Sequence, residues 1–250
     1  MTTAGDIAQN IAVVRSRLAA ACLKVGRDPA GVTLIAVSKT HPAQAVYEAA
    51  AAGVRDFGEN RVEEGSVKIP EVKQNLDTPL IWHMIGHLQS RKAKEVPPLF
   101  DIIHSVDTVK LANKLNESAA ALDKPITAFL EINVSGEASK SGFSAFGWEQ
   151  DKAMLAALCQ EVRTIAGLSH LRLRGLMTMA PIVDEMEQTR PVFASLRKLR
   201  DALQAELGIA LPELSMGMTD DFPVAVEEGA TIIRVGRAIF GERQTFIAGG

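Results

Sequence analysis

Two groups of residues in this sequence have types and spacing suited to a single ligand. The first is Lys39, which follows the apolar run Leu34-Ile-Ala-Val37 within Ser38-Lys39-Thr40. A lysine there leaves a buried strand with an apolar floor beneath it. Partial desolvation disfavours the ammonium, lowers the amine pKa and makes it a better nucleophile toward an aldehyde. A loop lysine with its ammonium in solvent is the other reading these residues allow. The second group lies near the C-terminus, where Ser215-Met-Gly-Met-Thr219 and Arg234-Val-Gly-Arg237 each lead toward a helical pattern. Glycines, hydroxyls and backbone N–H groups at such transitions suit a phosphate. Ordinary capping by Thr219 or Asp220 is the alternative. With phosphate bound, Asp220 and Asp221 must point away from it, since like charges repel. An amine nucleophile and a phosphate cradle at one mouth suit a ligand carrying both an aldehyde and a phosphate, which is what pyridoxal 5′-phosphate (PLP) offers.

The elements that must position these groups follow from periodicity. Ile7, Ile11, Val14, Leu18 and Leu23 recur at helical spacing and predict a first helix ended near Gly26. The run 33–37 reads as a buried strand. Strands are then predicted within 56–60, a short strand and its exit loop, and over 80–85, 102–106, 126–134, 171–179, 214–216 and 231–235. Helices are predicted over 42–52, 61–72, 90–95, 108–122, 149–165, 184–207 and 220–228, with Pro97-Pro98 ending the third and Asp107 capping the fourth. About eight strands, each followed by a helix, favour an α/β fold of the (β/α)8 TIM barrel type with an extra N-terminal helix, over an open doubly wound sheet. A single domain over 1–250 is expected. Residues 135–147 form a loop long enough to be functional.

Reactive groups of such a barrel sit at the C-terminal ends of its strands. That selects Ser38-Lys39-Thr40, Glu59-Asn60, His87, Ser105, Asn133, Met177-Thr178-Met179, Ser215 to Thr219 and Arg234 to Arg237. His83, His87 and His104 lack an HExxH motif or a carboxylate at ligand spacing, so structural or mouth-lining roles are expected and no metal. Glu59 and Glu131 read equally as general bases or as ion-pair partners inside the barrel. Met177/Met179 and Met216/Met218 alternate as strand residues and read as core. A net charge of −3 argues against nucleic acid, and the basic face of Arg190 to Arg200 reads as solvated. Met1 to Ala21 lacks the unbroken apolar stretch of a signal peptide, and no run of about 18 apolar residues suggests a membrane span. The two cysteines, Cys22 and Cys159, form no CxxC and point to a reducing cytoplasm.

Many short segments, in order along nearly the whole chain, carry a resemblance. They are Leu34-Ile-Ala-Val-Ser-Lys-Thr40, Phe57-Gly-Glu-Asn-Arg61, Trp82-His-Met-Ile-Gly-His-Leu-Gln89, Ile103-His-Ser-Val106, Asn133, Lys140-Ser-Gly-Phe143, Gly175-Leu-Met-Thr178, Leu214-Ser-Met-Gly-Met218 and Arg234-Val-Gly-Arg-Ala-Ile-Phe-Gly241. The sequence resembles the PLP homeostasis proteins, also labelled proline synthetase co-transcribed proteins, which share the fold of the alanine racemase N-terminal domain (the type III PLP fold). The resemblance implies that Lys39 forms the internal aldimine, and that Ser215, Thr219 and the backbone near Gly236 and Arg237 hold the phosphate. It implies Arg234 beside the pyridine nitrogen, where a second positive charge is disfavoured and the ring becomes a weaker electron sink. Asn60, His83 and Met218 match positions lining the mouth. Thr219 stands where many relatives have serine, and keeps the hydroxyl. The chain ends soon after the barrel pattern, so the racemases' C-terminal domain and its catalytic tyrosine are not expected; Tyr47 is the only tyrosine and suits packing or a place near the cofactor.

The expected function is therefore intracellular PLP (vitamin B6) homeostasis, with PLP held on Lys39 and no robust catalysis. The expected state is a cytoplasmic monomer, with apo-forms of PLP-dependent enzymes as possible partners and no nucleic acid or membrane. A PLP-dependent racemase is the alternative, and it needs a second acid/base group near the cofactor. A cofactor-free Schiff-base aldolase ranks third.

Overall fold

The computed structural model describes residues 7–241; residues 1–6 and 242–250 of the expected domain span lie outside the described residues. Helix α1 (Ile7–Lys24) comes first. The chain then runs β1 (Thr33–Val37), α2 (Ala43–Ala51), β2 (Asp56–Glu59), α3 (Val62–Asn75), β3 (Ile81–Met84), α4 (Val96–Leu99), β4 (Ile102–Val106), α5 (Val109–Ala120) and β5 (Ile126–Asn133). It continues with β6 (Phe143–Ser144), α6 (Lys152–Ala166), β7 (Leu171–Met177), α7 (Arg190–Leu207), β8 (Glu213–Ser215), α8 (Phe222–Glu227), β9 (Ile232–Val235) and α9 (Arg237–Phe240). The strand order is β4-β3-β2-β1-β9-β8-β7-β5, and a β4–β5 pairing closes it into a barrel of eight parallel strands among the described residues. β6 lies outside the ring, paired to β5 through Ile132 and Phe143 within the loop 135–147.

Strand alternation divides the apolar residues between two layers. Ile35, Val37, Phe129, Met177 and Ile232 pack inside the barrel. The larger cluster, with Phe57, Trp82, Phe193 and Phe222, lies between the sheet and its helices. Helix α1 packs on α2, α8 and α9.

Several local expectations are corrected. Leu23 is 73% exposed, because the buried stripe of α1 runs from Leu18 to Ala21 and Cys22, and a step of five residues leaves that face. The helix expected over 90–95 forms as a 3-10 helix, Ser90–Glu95, but Pro97-Pro98 do not stop the chain there. They sit at the start of α4, where a missing N–H breaks no helical bond. The cap of α5 is Thr108, whose hydroxyl accepts from Leu111 N at 3.2 Å, not Asp107. Helix α7 begins at Arg190, after a short 3-10 turn over Met186–Thr189.

Candidate functional site

Lys39 lies one alternation beyond Ile35 and Val37, which puts it on the inner side of β1 at the barrel mouth, where it is partly buried. β1 pairs with β9, with Ala36 opposite Val235, so Gly236 falls beside the end of β1. A Cβ at Gly236 would stand 3.3 Å from Val37 O. The loops after β8 and β9 also meet: Ala238 N donates to Thr219 Oγ1 at 3.5 Å. Lys39, Gly236 and Thr219 thus follow one another around one arc of the mouth. The aspartates of that arc are committed elsewhere. Asp221 Oδ1 accepts from Met218 N at 2.5 Å, and Asp220 pairs with the exposed Arg237 side chain.

On the other side of β1, Asn60 follows β2 and lines a cavity of about 450 Å³ with Arg61, Met84, His87 and Lys92. Its Oδ1 is buried with no hydrogen-bond partner. Gly86 secures this corner, since a Cβ there would lie 2.2 Å from Asn60 O. Across the barrel, Asn133 ties the loop 135–147 by donating to Glu137 O at 2.9 Å and accepting from Gly136 N at 3.1 Å.

Three expected site residues lie deeper than the mouth surface. Arg234 is 5% exposed and donates to Ser215 Oγ at 2.6 Å and to Thr178 O at 3.0 Å. Ser215 Oγ also meets His104 Nδ1 at 2.8 Å, so its hydroxyl is engaged within the barrel. His83 does not line the mouth: it is 1% exposed, with Nδ1 2.9 Å from His104 Nε2 and Nε2 3.0 Å from Asp56 Oδ1. A polar relay therefore runs from Asp56, at the start of β2, through His83, His104 and Ser215 to Arg234. His104 stacks on Phe129 with ring centroids 4.5 Å apart.

Of the other candidates, Glu59 faces outward, away from the barrel interior, and pairs with Lys68 of α3 at 2.7 Å. Glu131 is buried with Oε2 unpartnered, and burial pushes its pKa up. Tyr47 Oη donates to Glu71 O at 3.4 Å. Arg190 is held by Glu187, Glu227 and Glu228, and Arg197 by Glu228. His87 pairs with Asp107 at 3.3 Å.

His104 gives the acid limb of stability a definite sign. Burial pushes its pKa well below the ordinary 6.5, and His83 and Arg234 push the same way. The unfolded chain takes up a proton below pH 6.5 that the fold refuses, so this contribution is present above that pH and is lost as pH falls toward the depressed value. Buried Glu59, Glu131 and Asp221, whose pKa values are raised chiefly by burial, act oppositely: their contributions are lost as pH rises. Comparison with His104→Gln cancels those shared terms. The wild type should lose up to about 1.4 kcal/mol per pH unit more than the variant between pH 6.5 and 5 in denaturant unfolding. Equal slopes would refute a neutral buried His104.

A closed barrel with a lysine at the end of β1 and the last two strand loops meeting beside it defines a ligand-holding barrel with its site at the C-terminal face. The model of the alanine racemase N-terminal domain matches residues 5–244. A pyridoxal phosphate homeostasis protein of Pseudomonas aeruginosa is 46% identical over 237 residues, covering 95% of this chain and 96% of that protein. One from Escherichia coli is 43% identical over 242 residues, covering 95% and 97%. The structure of PipY from Synechococcus elongatus with PLP bound matches with a TM-score of 0.79 at 39% identity, covering 94% of this chain and 100% of PipY. The chain therefore belongs to the alanine racemase N-terminal domain family and, within it, to the pyridoxal phosphate homeostasis proteins. Those two relatives are named for homeostasis rather than for an enzyme activity.

Proposed function

We propose that this chain is a single barrel domain that binds PLP on Lys39 and handles the cofactor without turning it over. The observation carrying the reading is the arc of Lys39, Gly236 and Thr219 at one mouth. The unpartnered buried Asn60 Oδ1 fits a polar ligand on the other side of β1. PLP supplies an aldehyde for capture and a phosphate for anchorage. Lys39 would supply the amine that holds the aldehyde covalently, with water as the leaving molecule. Thr219 Oγ1, Met218 and the backbone near Gly236 and Arg237 are assigned to the phosphate side. Ser215 is assigned to holding Arg234, since its hydroxyl is already engaged.

Arg234 supports holding over turnover. Burial lowers its pKa to about 10, so it stays charged at neutral pH. A cation there disfavours a proton on the ring nitrogen and weakens the ring as an electron sink. We place the protein in the cytoplasm as a monomer that exchanges PLP with apo-enzymes; its two cysteines are buried free thiols, which suits a reducing compartment.

The test is borohydride reduction of the PLP-loaded protein, peptide mass analysis, and amino-acid incubation in heavy water. The expected result is a phosphopyridoxyl mass on the peptide bearing Lys39 and no exchange of α-protons. Label on another lysine overturns the assignment. Rapid exchange overturns the handling role and restores the racemase reading.

A further inference from the structure

Lys68 sits in the apolar stripe of α3, between the buried positions Gly65, Ile69 and Val72, and is itself 6% exposed. An ammonium there must be fully hydrogen-bonded or it costs heavily. Its three protons have three acceptors: Ser38 O at 2.8 Å, Glu59 Oε1 at 2.7 Å and Glu64 Oε1 at 2.8 Å. Glu59 Oε1 also accepts from Ser38 Oγ at 2.7 Å, and Glu64 Oε1 accepts from Thr40 N at 2.6 Å. Ser38 O belongs to the peptide group before Lys39, and Thr40 N to the one after it. Thr40 has φ +67°, a left-handed conformation that threonine seldom adopts.

We infer that Lys68 is a positioning residue for Lys39, one ammonium that fixes the peptide group before the nucleophile directly, at Ser38 O, and the one after it through Glu64, while Glu59 ties the Ser38 side chain to the same ammonium. The inference rests on the reading of Lys39 as the PLP lysine. The clamp lies on the outer side of β1 while Lys39 faces inward, so Lys68 acts through the backbone. Charge-assisted bonds on both flanking peptides fix the direction in which the Lys39 side chain leaves the strand. Such control of the attack geometry is what a covalent capture site requires.

The experiment uses the full chain loaded with PLP. Two quantities are read: the Kd for PLP, and the pH midpoint at which the visible band of Lys39-linked PLP interconverts. Lys68→Met is expected to weaken PLP about tenfold or more and to move the midpoint. Lys68→Arg, which keeps the charge and donors, should restore part of both. Where Lys68→Met fails to fold, Glu64→Ala decides. It frees Thr40 N from a side chain already 25% exposed, and should change both quantities in the same direction by a smaller amount. Wild-type affinity and midpoint in Glu64→Ala and in any folded Lys68→Met overturn the clamp, even with a lowered melting temperature. A wild type that shows no visible band on adding PLP overturns the PLP reading and the clamp with it.

Discussion

Lys39→Ala should abolish the visible absorbance band that the PLP-loaded wild type shows, and borohydride should then trap no label. The variant keeps Thr219, Gly236 and Arg237, the residues proposed for the phosphate, and Asn60 on the far side of β1, so it should still bind PLP weakly. A loss of about a hundredfold in affinity is expected, equivalent to about 2.7 kcal/mol. Lys39→Arg sharpens the test. Arginine keeps the positive charge but stays protonated and offers no nucleophilic amine. It should lose the band as completely as alanine does, which separates covalent capture from simple attraction of phosphate. Lys39 is only partly buried at a strand end, so both variants should unfold close to the wild type, within about 0.5 kcal/mol. A visible band persisting in Lys39→Ala would move the linkage to another lysine, with Lys140, which donates to Met179 O at 3.0 Å beside the mouth, as the first candidate.

The barrel was legible because parallel strands buried on both faces appear as short apolar runs, and Thr33–Val37 and Ile102–Val106 match their predicted bounds. The two-residue strand Phe143–Ser144 was not legible, since pairing of so short a segment is decided by the neighbouring β5 and not by any pattern of its own. Lys39 and the loops after β8 and β9 stood out because the C-terminal ends of barrel strands can be located from the sequence. The partners behind them could not be read that way. Asp56 looks like an ordinary residue at a strand start, and only closure of the ring brings β4 and β8 near enough for His104 to reach Ser215 across 111 positions. His83 and His104 did carry a signal: both take inward positions on adjacent strands. Lys68 carried another, as a lysine inside the apolar stripe of a helix, where an unpaired charge could not stay.

Ser215→Ala is expected to cost about 2–4 kcal/mol of stability, the largest loss at any one link of the relay. Ser215 is fully buried, so alanine leaves Arg234 Nη1 without its 2.6 Å acceptor and His104 Nδ1 without a partner. Asp56→Ala should cost only about 1 kcal/mol, because the Asp56 side chain is 20% exposed and water can take its place beside His83. The order of these losses follows from the direction of the chain. With both imidazoles neutral, one arrangement satisfies every donor: Arg234 donates to Ser215, Ser215 to His104 Nδ1, His104 Nε2–H to His83 Nδ1, and His83 Nε2–H to Asp56. Ring-nitrogen NMR of the wild type should therefore find the Nε2–H tautomer for both His83 and His104. An Nδ1–H tautomer at His104, or a Ser215→Ala variant within about 0.5 kcal/mol of wild type, would show that Arg234 is held by Thr178 O and local packing alone. With the tautomers and the loss as expected, the buried cation beneath the mouth owes its place to a carboxylate at the start of β2.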